Sequence, residues 1–269
     1  PDGRLLAAAS GRRILLYHID SRDLTAQFDC DRNIRDIAFS PDGRVLASAD
    51  GAGRLALWDV AVSGESAVWN EPATVRALAV SPDGGTVASA AGYLRQGRME
   101  DVAHITLRDR RTGAIRHRLE GHERAVSSVD YSPDGKLLAS TGNDWTVRLW
   151  NPESGELLRV LYRHGRAGDR VVFSRDGTRL AAIFPGIVKV WDTGTWSLAG
   201  NLEVDPSESR WHSPGLEFGP EGRFLYSGGG DSRLRKWELA SGKQVAVLDV
   251  HSNNVRDLRI DPDGRWLIS

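Results

Sequence analysis

The chain has 269 residues and a single cysteine, Cys30, which excludes an intrachain disulfide framework, a cysteine-rich metal site and a haem-attachment motif. Its 35 Lys and Arg against 36 Asp and Glu leave a formal net charge of −1, so no global field steers it toward nucleic acid or an acidic membrane. Apolar residues make up 40% of it, yet none of its apolar runs approaches the roughly 20 residues of a transmembrane helix.

The chain opens on a turn, Pro1-Asp2-Gly3, and the next stretch ends at Tyr17-His18. A second unit starts with an alternating strand at 34–40, turns at Pro41-Asp42-Gly43, returns through 45–49 and ends a third strand at Trp58-Asp59, before Ser63-Gly64. The third unit repeats this at 75–81, Pro82-Asp83-Gly84, Arg108-Asp109 and Thr112-Gly113, with an insertion at 93–101. The fourth runs from Gly121-His122 through 126–132, Pro133-Asp134-Gly135, 137–140 and Asp144 to Trp150-Asn151, Ser154-Gly155 and a closing strand at 157–161. The fifth keeps His164, Arg175-Asp176-Gly177 and Trp191-Asp192. The sixth keeps Pro220-Glu221-Gly222, 224–227, Trp237-Glu238, Ser241-Gly242 and 244–248, and the last stops at Ser269 after His251, 255–260 and Pro262-Asp263-Gly264.

The turn glycines stand at 3, 43, 84, 135, 177, 222 and 264, at intervals of 40, 41, 51, 42, 45 and 42. The turn chemistry explains the recurrence. Proline presets φ for the second turn position, Asp tolerates the third and bonds locally, and glycine accepts the positive φ that follows. A type I turn followed by a left-handed glycine joins antiparallel strands. Four short strands per ~40 residues without a helix signal predict propeller blades. The strands number 25, three at the start, five full sets of four and two at the end.

These residues resemble the WD-repeat β-propeller family, in its bacterial type, over the whole chain, and best at 121–151. The resemblance implies an all-β propeller of four-stranded antiparallel blades. About six blades' worth is present, read as an excerpt of a seven-bladed or larger parent, with a closed six-bladed ring as the alternative. The expected organisation is one domain, 1–269, cut mid-blade at both ends, with blades at 1–30 (partial), 31–70, 71–120, 121–163, 164–204, 205–249 and 250–269 (partial). It also implies a buried quartet, His122, Ser140, Asp144 and Trp150, in which an indole N–H finds the acceptor it needs. Other blades keep parts: Ser227 and Asp231 with Trp237, and Ser48 with Trp58, where Cys30 and Ala52 stand at the His and Asp positions. Looser blades are expected around Trp58 and Arg108.

Ser140, His122 and Asp144 have the composition of a hydrolase triad. Ser140 is expected on an interior strand against a buried tryptophan, where no carbonyl substrate can approach, so no catalytic residue is assigned. No H-E-x-x-H or Walker-type loop is present, and Gly228-Gly229-Gly230 lies between strands rather than before a helix. No metal site or cofactor is expected.

In the family, partners contact the residues three and five after the Gly-His histidine. Carried across, these include Asn33 and Asn254, and Arg35, Arg76 and Arg256. Three guanidiniums in parallel contexts suit carboxylates or phosphates; the simpler reading pairs each with a local acid such as Asp36 or Asp257. Tyr93, Arg95 and Arg98 of the insertion, and Trp145 and Trp211 in loops, are further candidate contacts. The expected function is a non-catalytic scaffold for a protein or peptide partner with acidic or phosphorylated groups, within a larger signalling or regulatory protein. The alternative is an enzyme or cofactor-binding propeller, quinoprotein-like or peptidase-associated. Neither a membrane nor nucleic acid is the expected partner. A cytoplasmic location is expected, with the native N-terminus missing from the sequence.

Overall fold

The computed structural model describes residues 3–92, 103–203, 215–249, 251–252, 255, 257–261 and 263–269. Among these there are 25 strands and no helix. The first sheet has three strands, β1 (Leu5–Ser10), β2 (Arg13–His18) and β3 (Leu24–Asp29). Five four-stranded sheets follow. They are β4 (Ile34–Phe39), β5 (Val45–Asp50), β6 (Arg54–Asp59) and β7 (Gly64–Asn70); then β8 (Val75–Val80), β9 (Thr86–Ala91), β10 (His104–Asp109) and β11 (Ile115–Glu120). Next come β12 (Val126–Tyr131), β13 (Leu138–Gly142), β14 (Thr146–Trp150) and β15 (Leu157–Arg163), and β16 (Arg170–Phe173), β17 (Arg179–Phe184), β18 (Ile187–Asp192) and β19 (Leu198–Glu203). The last full sheet is β20 (Leu216–Phe218), β21 (Phe224–Gly228), β22 (Arg233–Glu238) and β23 (Lys243–Asp249), before the pair β24 (Arg259–Ile260) and β25 (Leu267–Ile268). Strand order in each sheet follows the sequence, the meander of a propeller blade.

The turns form as their sequence dictates. Ser132 Oγ donates to Asp134 Oδ1 at 2.7 Å and accepts the Leu137 N–H at 2.9 Å, while the Gly135 N–H closes on the Ser132 carbonyl at 2.8 Å. Gly135 sits at φ 72°, a conformation an L side chain resists. Ser40, Ser81 and Ser174 repeat the same bonds to Asp42, Asp83 and Asp176.

The inner strands of the full sheets, such as β5 and β17, are buried on both faces and so carry two interleaved apolar sets. The chain divides into two compact units, residues 1–129 with 150–157, and residues 130–149 with 158–269. In the first, Leu46 of β5 packs with Ile14, Leu16, Phe28 and Trp58, while Ala47 and Ala49 turn the other way to Leu55, Leu57, Val75, Leu78 and Val87. In the second, Leu180, Ala182 and Phe184 of β17 meet Val147, Leu149 and Trp191, while Ala181 and Ile183 meet Leu216, Phe218 and Trp237. A fully buried Val, Leu, Ile or Phe contributes roughly 1.5–3 kcal/mol, so this face-to-face stacking dominates stability. The third and fourth strands share a bulge beside the aromatic position, at Leu16/Tyr17, Leu57/Trp58, Leu107/Arg108, Val190/Trp191 and Lys236/Trp237. Such bulges twist an outer edge away from strand addition.

Candidate functional site

Within the sheets, buried polar groups act as struts. The Trp58 indole donates to Ser48 Oγ at 2.8 Å and the Trp237 indole to Ser227 Oγ at 2.9 Å, with all four residues buried. At the best-preserved repeat, Ser140, Asp144, His122 and Trp150 are all buried, and the His122 ring lies 6.0 Å from that of Trp150. Asp144 Oδ1 accepts Thr146 Oγ1 at 2.8 Å, and its other oxygen pairs with Arg148 at 3.3 Å. Ser140 is 0% exposed and His122 only 7%.

Two struts depart from the sequence reading. In the β4–β7 sheet the turn carboxylate is Asp50, whose Oδ1 accepts the N–H groups of Ala52 and Arg54 at 2.8 and 3.0 Å. It stands two residues before the alanine taken as that position. In the β8–β11 sheet Arg108 replaces the tryptophan, and Glu71 replaces the histidine four residues before the first strand. Arg108 Nε and Nη2 both donate to Glu71 Oε1, at 3.0 and 2.9 Å, and Ser89 and Thr106 hydroxyls reach the same carboxylate at 3.3 Å. The Glu71 side chain is 0% exposed and that of Arg108 11%, so a buried ion pair fills the place of the neutral network. The signal was present in the paired substitution at corresponding positions.

Arg35 and Arg76 come together in the first unit. Arg35 is the extra residue where β4 slips against β5 between Ile34 and Asp36, and Arg76 is the extra residue where β8 slips against β9 between Val75 and Ala77. A bulge re-aims its side chain out of the sheet's alternation. The first strands of the two sheets are tied by Asp36, whose Oδ2 accepts the Leu78 N–H at 2.7 Å, while Oδ1 accepts the Ile37 N–H at 2.9 Å. The exposed Arg35 guanidinium lies over Gly51, where an added Cβ would stand 3.3 Å from Nε. Arg76 is half-buried, and its Nε is buried without a hydrogen-bond partner among the described residues. Burial first, and then the Arg35 charge, lower the Arg76 pKa from its ordinary value. Two guanidiniums thus share a positive field beside an unfilled donor, an arrangement suited to a bidentate anion.

Asp257 pairs with Arg170 at 2.9 Å and Arg259 at 3.6 Å. Asn33 is exposed, and its carbonyl accepts the Gly51 N–H at 3.3 Å. In the second unit Trp145 is 38% exposed at φ 69°, a left-handed conformation that Gly53 and Ser232 adopt at the corresponding turns. A bulky residue rarely adopts this conformation. Arg256, Asn254, Tyr93, Arg95, Arg98 and Trp211 lie outside the described residues. Among the described residues no group of three or more His, Cys, Asp or Glu is placed to hold a metal ion, and no helix is long and apolar enough to cross a membrane.

The WD domain, G-beta repeat family matches residues 22–59, 113–151 and 242–269. The nuclear distribution protein PAC1 of Arthroderma otae is 34% identical over 166 residues, covering 59% of this chain and 36% of that protein. Eukaryotic translation initiation factor 3 subunit I of Coccidioides immitis is 30% identical over 167 residues, covering 55% of this chain and 48% of that protein. The chain spans between about a third and a half of the length of these curated relatives.

Proposed function

The chain is a WD-repeat protein of the β-propeller kind, and from that premise we propose that it is a non-catalytic scaffold that holds a protein or peptide partner by acidic or phosphorylated groups. The observation that carries this reading is the pair of matched bulges at Arg35 and Arg76, with the Arg35 charge acting on Arg76 and Arg76 Nε left without an acceptor among the described residues. A carboxylate or phosphate would supply that acceptor and relieve the repulsion between the two charges. Asn33 beside Arg35 would extend the grip, and Arg256 and Asn254, in the parallel sequence context, are proposed as partner contacts in their own right. Trp145 offers a separate aromatic contact, and Tyr93, Arg95, Arg98 and Trp211 would add further loop contacts.

The quartet His122, Ser140, Asp144 and Trp150 is proposed as a structural network, supported by the Trp58–Ser48 and Trp237–Ser227 bonds in other sheets. The relatives' names, a nuclear distribution protein and a translation initiation factor subunit, fit a part in a larger assembly. We take 1–269 as one WD-repeat domain of a cytoplasmic protein.

The test is an array of acidic and phosphoserine peptides, each beside a neutral counterpart, probed with the wild-type chain and with Arg35→Ala/Arg76→Ala. The proposal expects selective capture of anionic peptides by the wild type and its loss in the double variant. Equal capture of neutral peptides, or retention by the variant, would overturn it.

A further inference from the structure

A second cationic site lies in the other unit, and a comparison between corresponding turns defines it. Six residues before the tryptophan, the β12–β15 and β20–β23 sheets carry Asp144 before Trp150 and Asp231 before Trp237. Two residues before the same tryptophan each sheet carries an arginine, and the two pair: Arg148 with Asp144 at 3.3 Å, and Arg235 Nη1 with Asp231 Oδ1 at 3.2 Å. In the β16–β19 sheet the cation is kept, as Lys189, but the carboxylate is not. Pro185 stands six residues before Trp191, and the β17–β18 connection is the two-residue turn Pro185-Gly186.

Lys189 is nonetheless buried, at 7% exposure. Its Nζ donates to Asn201 Oδ1 at 2.7 Å and stands 4.5 Å from the Tyr162 ring centroid. An ammonium has three donors, and a buried cation ordinarily has a counter-ion. Beside it lies His164, in the place that His122 takes in the preceding repeat. The Ser that would satisfy an imidazole here is Ala182. His164 Nδ1 is buried without a partner among the described residues, and its ring packs 4.8 Å from Phe184 and 6.1 Å from Tyr162. Burial, then the charges of Lys189 and Arg166, lower its pKa from the ordinary 6.5. The charges that lower it, Lys189 and Arg166, are both positive, and the neighbouring Phe184 and Tyr162 rings keep the surroundings of low polarity, where electrostatic contacts are stronger.

We infer that Lys189 and His164 form a carboxylate-binding site, which takes an aspartate or glutamate side chain from a partner in the role that Asp144 and Asp231 fill within their own sheets. The site is independent of Arg35 and Arg76, which belong to the other unit, so either can fail alone. Lys189 supplies the charge and His164, protonated at Nδ1, a directed donor. Binding of the anion therefore raises the affinity of His164 for its proton.

The test follows the His164 ring resonances by NMR while sodium acetate replaces sodium chloride at constant ionic strength. The wild type should show a saturable shift at His164, absent at His117, and a raised His164 pKa in acetate. Pro185→Asp plants a carboxylate in the turn; it should raise the His164 pKa without acetate and abolish the response. Lys189→Gln should remove the saturable shift. A His164 response no larger than that of His117 in the wild-type chain would overturn the site whether or not either variant folds. An undiminished acetate response in folded Pro185→Asp would overturn it too.

Discussion

At the scale of single residues, the chain is held by polar groups that each demand a partner. Removing the Ser227 hydroxyl leaves the buried Trp237 indole N–H unsatisfied, so Ser227→Ala should cost about 1–3 kcal/mol in denaturant unfolding. In a cycle with Trp237→Phe, the coupling should be about 0.5–1.5 kcal/mol, and a coupling of zero would mean that the hydrogen bond does not contribute. The Glu71–Arg108 pair is more exacting. Glu71→Gln leaves a guanidinium in the interior without its counter-charge and should cost roughly 3–5 kcal/mol, whereas joint replacement by Met and Leu should cost far less or nothing. The tryptophan and serine positions were legible because an indole and a hydroxyl recur at one spacing. The ion pair was not, because Glu and Arg replace His and Trp with a different chemistry of the same reach. Asp50 escaped notice because a carboxylate two residues earlier reaches the same turn amides.

At the scale of elements, the turn is the repeating device and its sequence is nearly its structure. Serine, aspartate and a left-handed glycine specify the hairpin locally, which is why 25 strands could be counted from spacing alone. The hydrogen bond from serine holds the carboxylates of Asp42, Asp83 and Asp134 below their ordinary pKa of 3.8, aided by the backbone amide two residues on. A folded-state pKa below the unfolded one stabilises at neutral pH, and that stabilisation is lost as the pH falls through the folded value. The triple variant Asp42→Asn/Asp83→Asn/Asp134→Asn should therefore unfold in less urea than the wild type at pH 7. The gap should narrow only as the pH drops below about 4. A gap that is constant down to strongly acid pH would show that the ionised form plays no part. The bulges at Arg35 and Arg76 were beyond sequence reading, since a one-residue slip in pairing leaves no mark in composition. Only the register shows that both side chains leave the sheet's alternation at the same point.

At the scale of the whole molecule, the sheets stack their apolar faces within each unit, and the proposed function rests with what the sheet ends present. The fold follows from interleaved apolar sets and repeated turns, and both were open to reading in the sequence. The proposed partner contact rests on Arg35 and Arg76, which come from different repeats, so their proximity was a matter for the structure. The most direct measurement is calorimetric titration of one anionic peptide from the array into the wild type and into Arg35→Ala/Arg76→Ala, at low and at high salt. The account predicts wild-type binding that weakens as salt screens the charges, and binding at least ~10-fold weaker and nearly salt-independent in the variant. Equal affinity and equal salt dependence in the two proteins would contradict it.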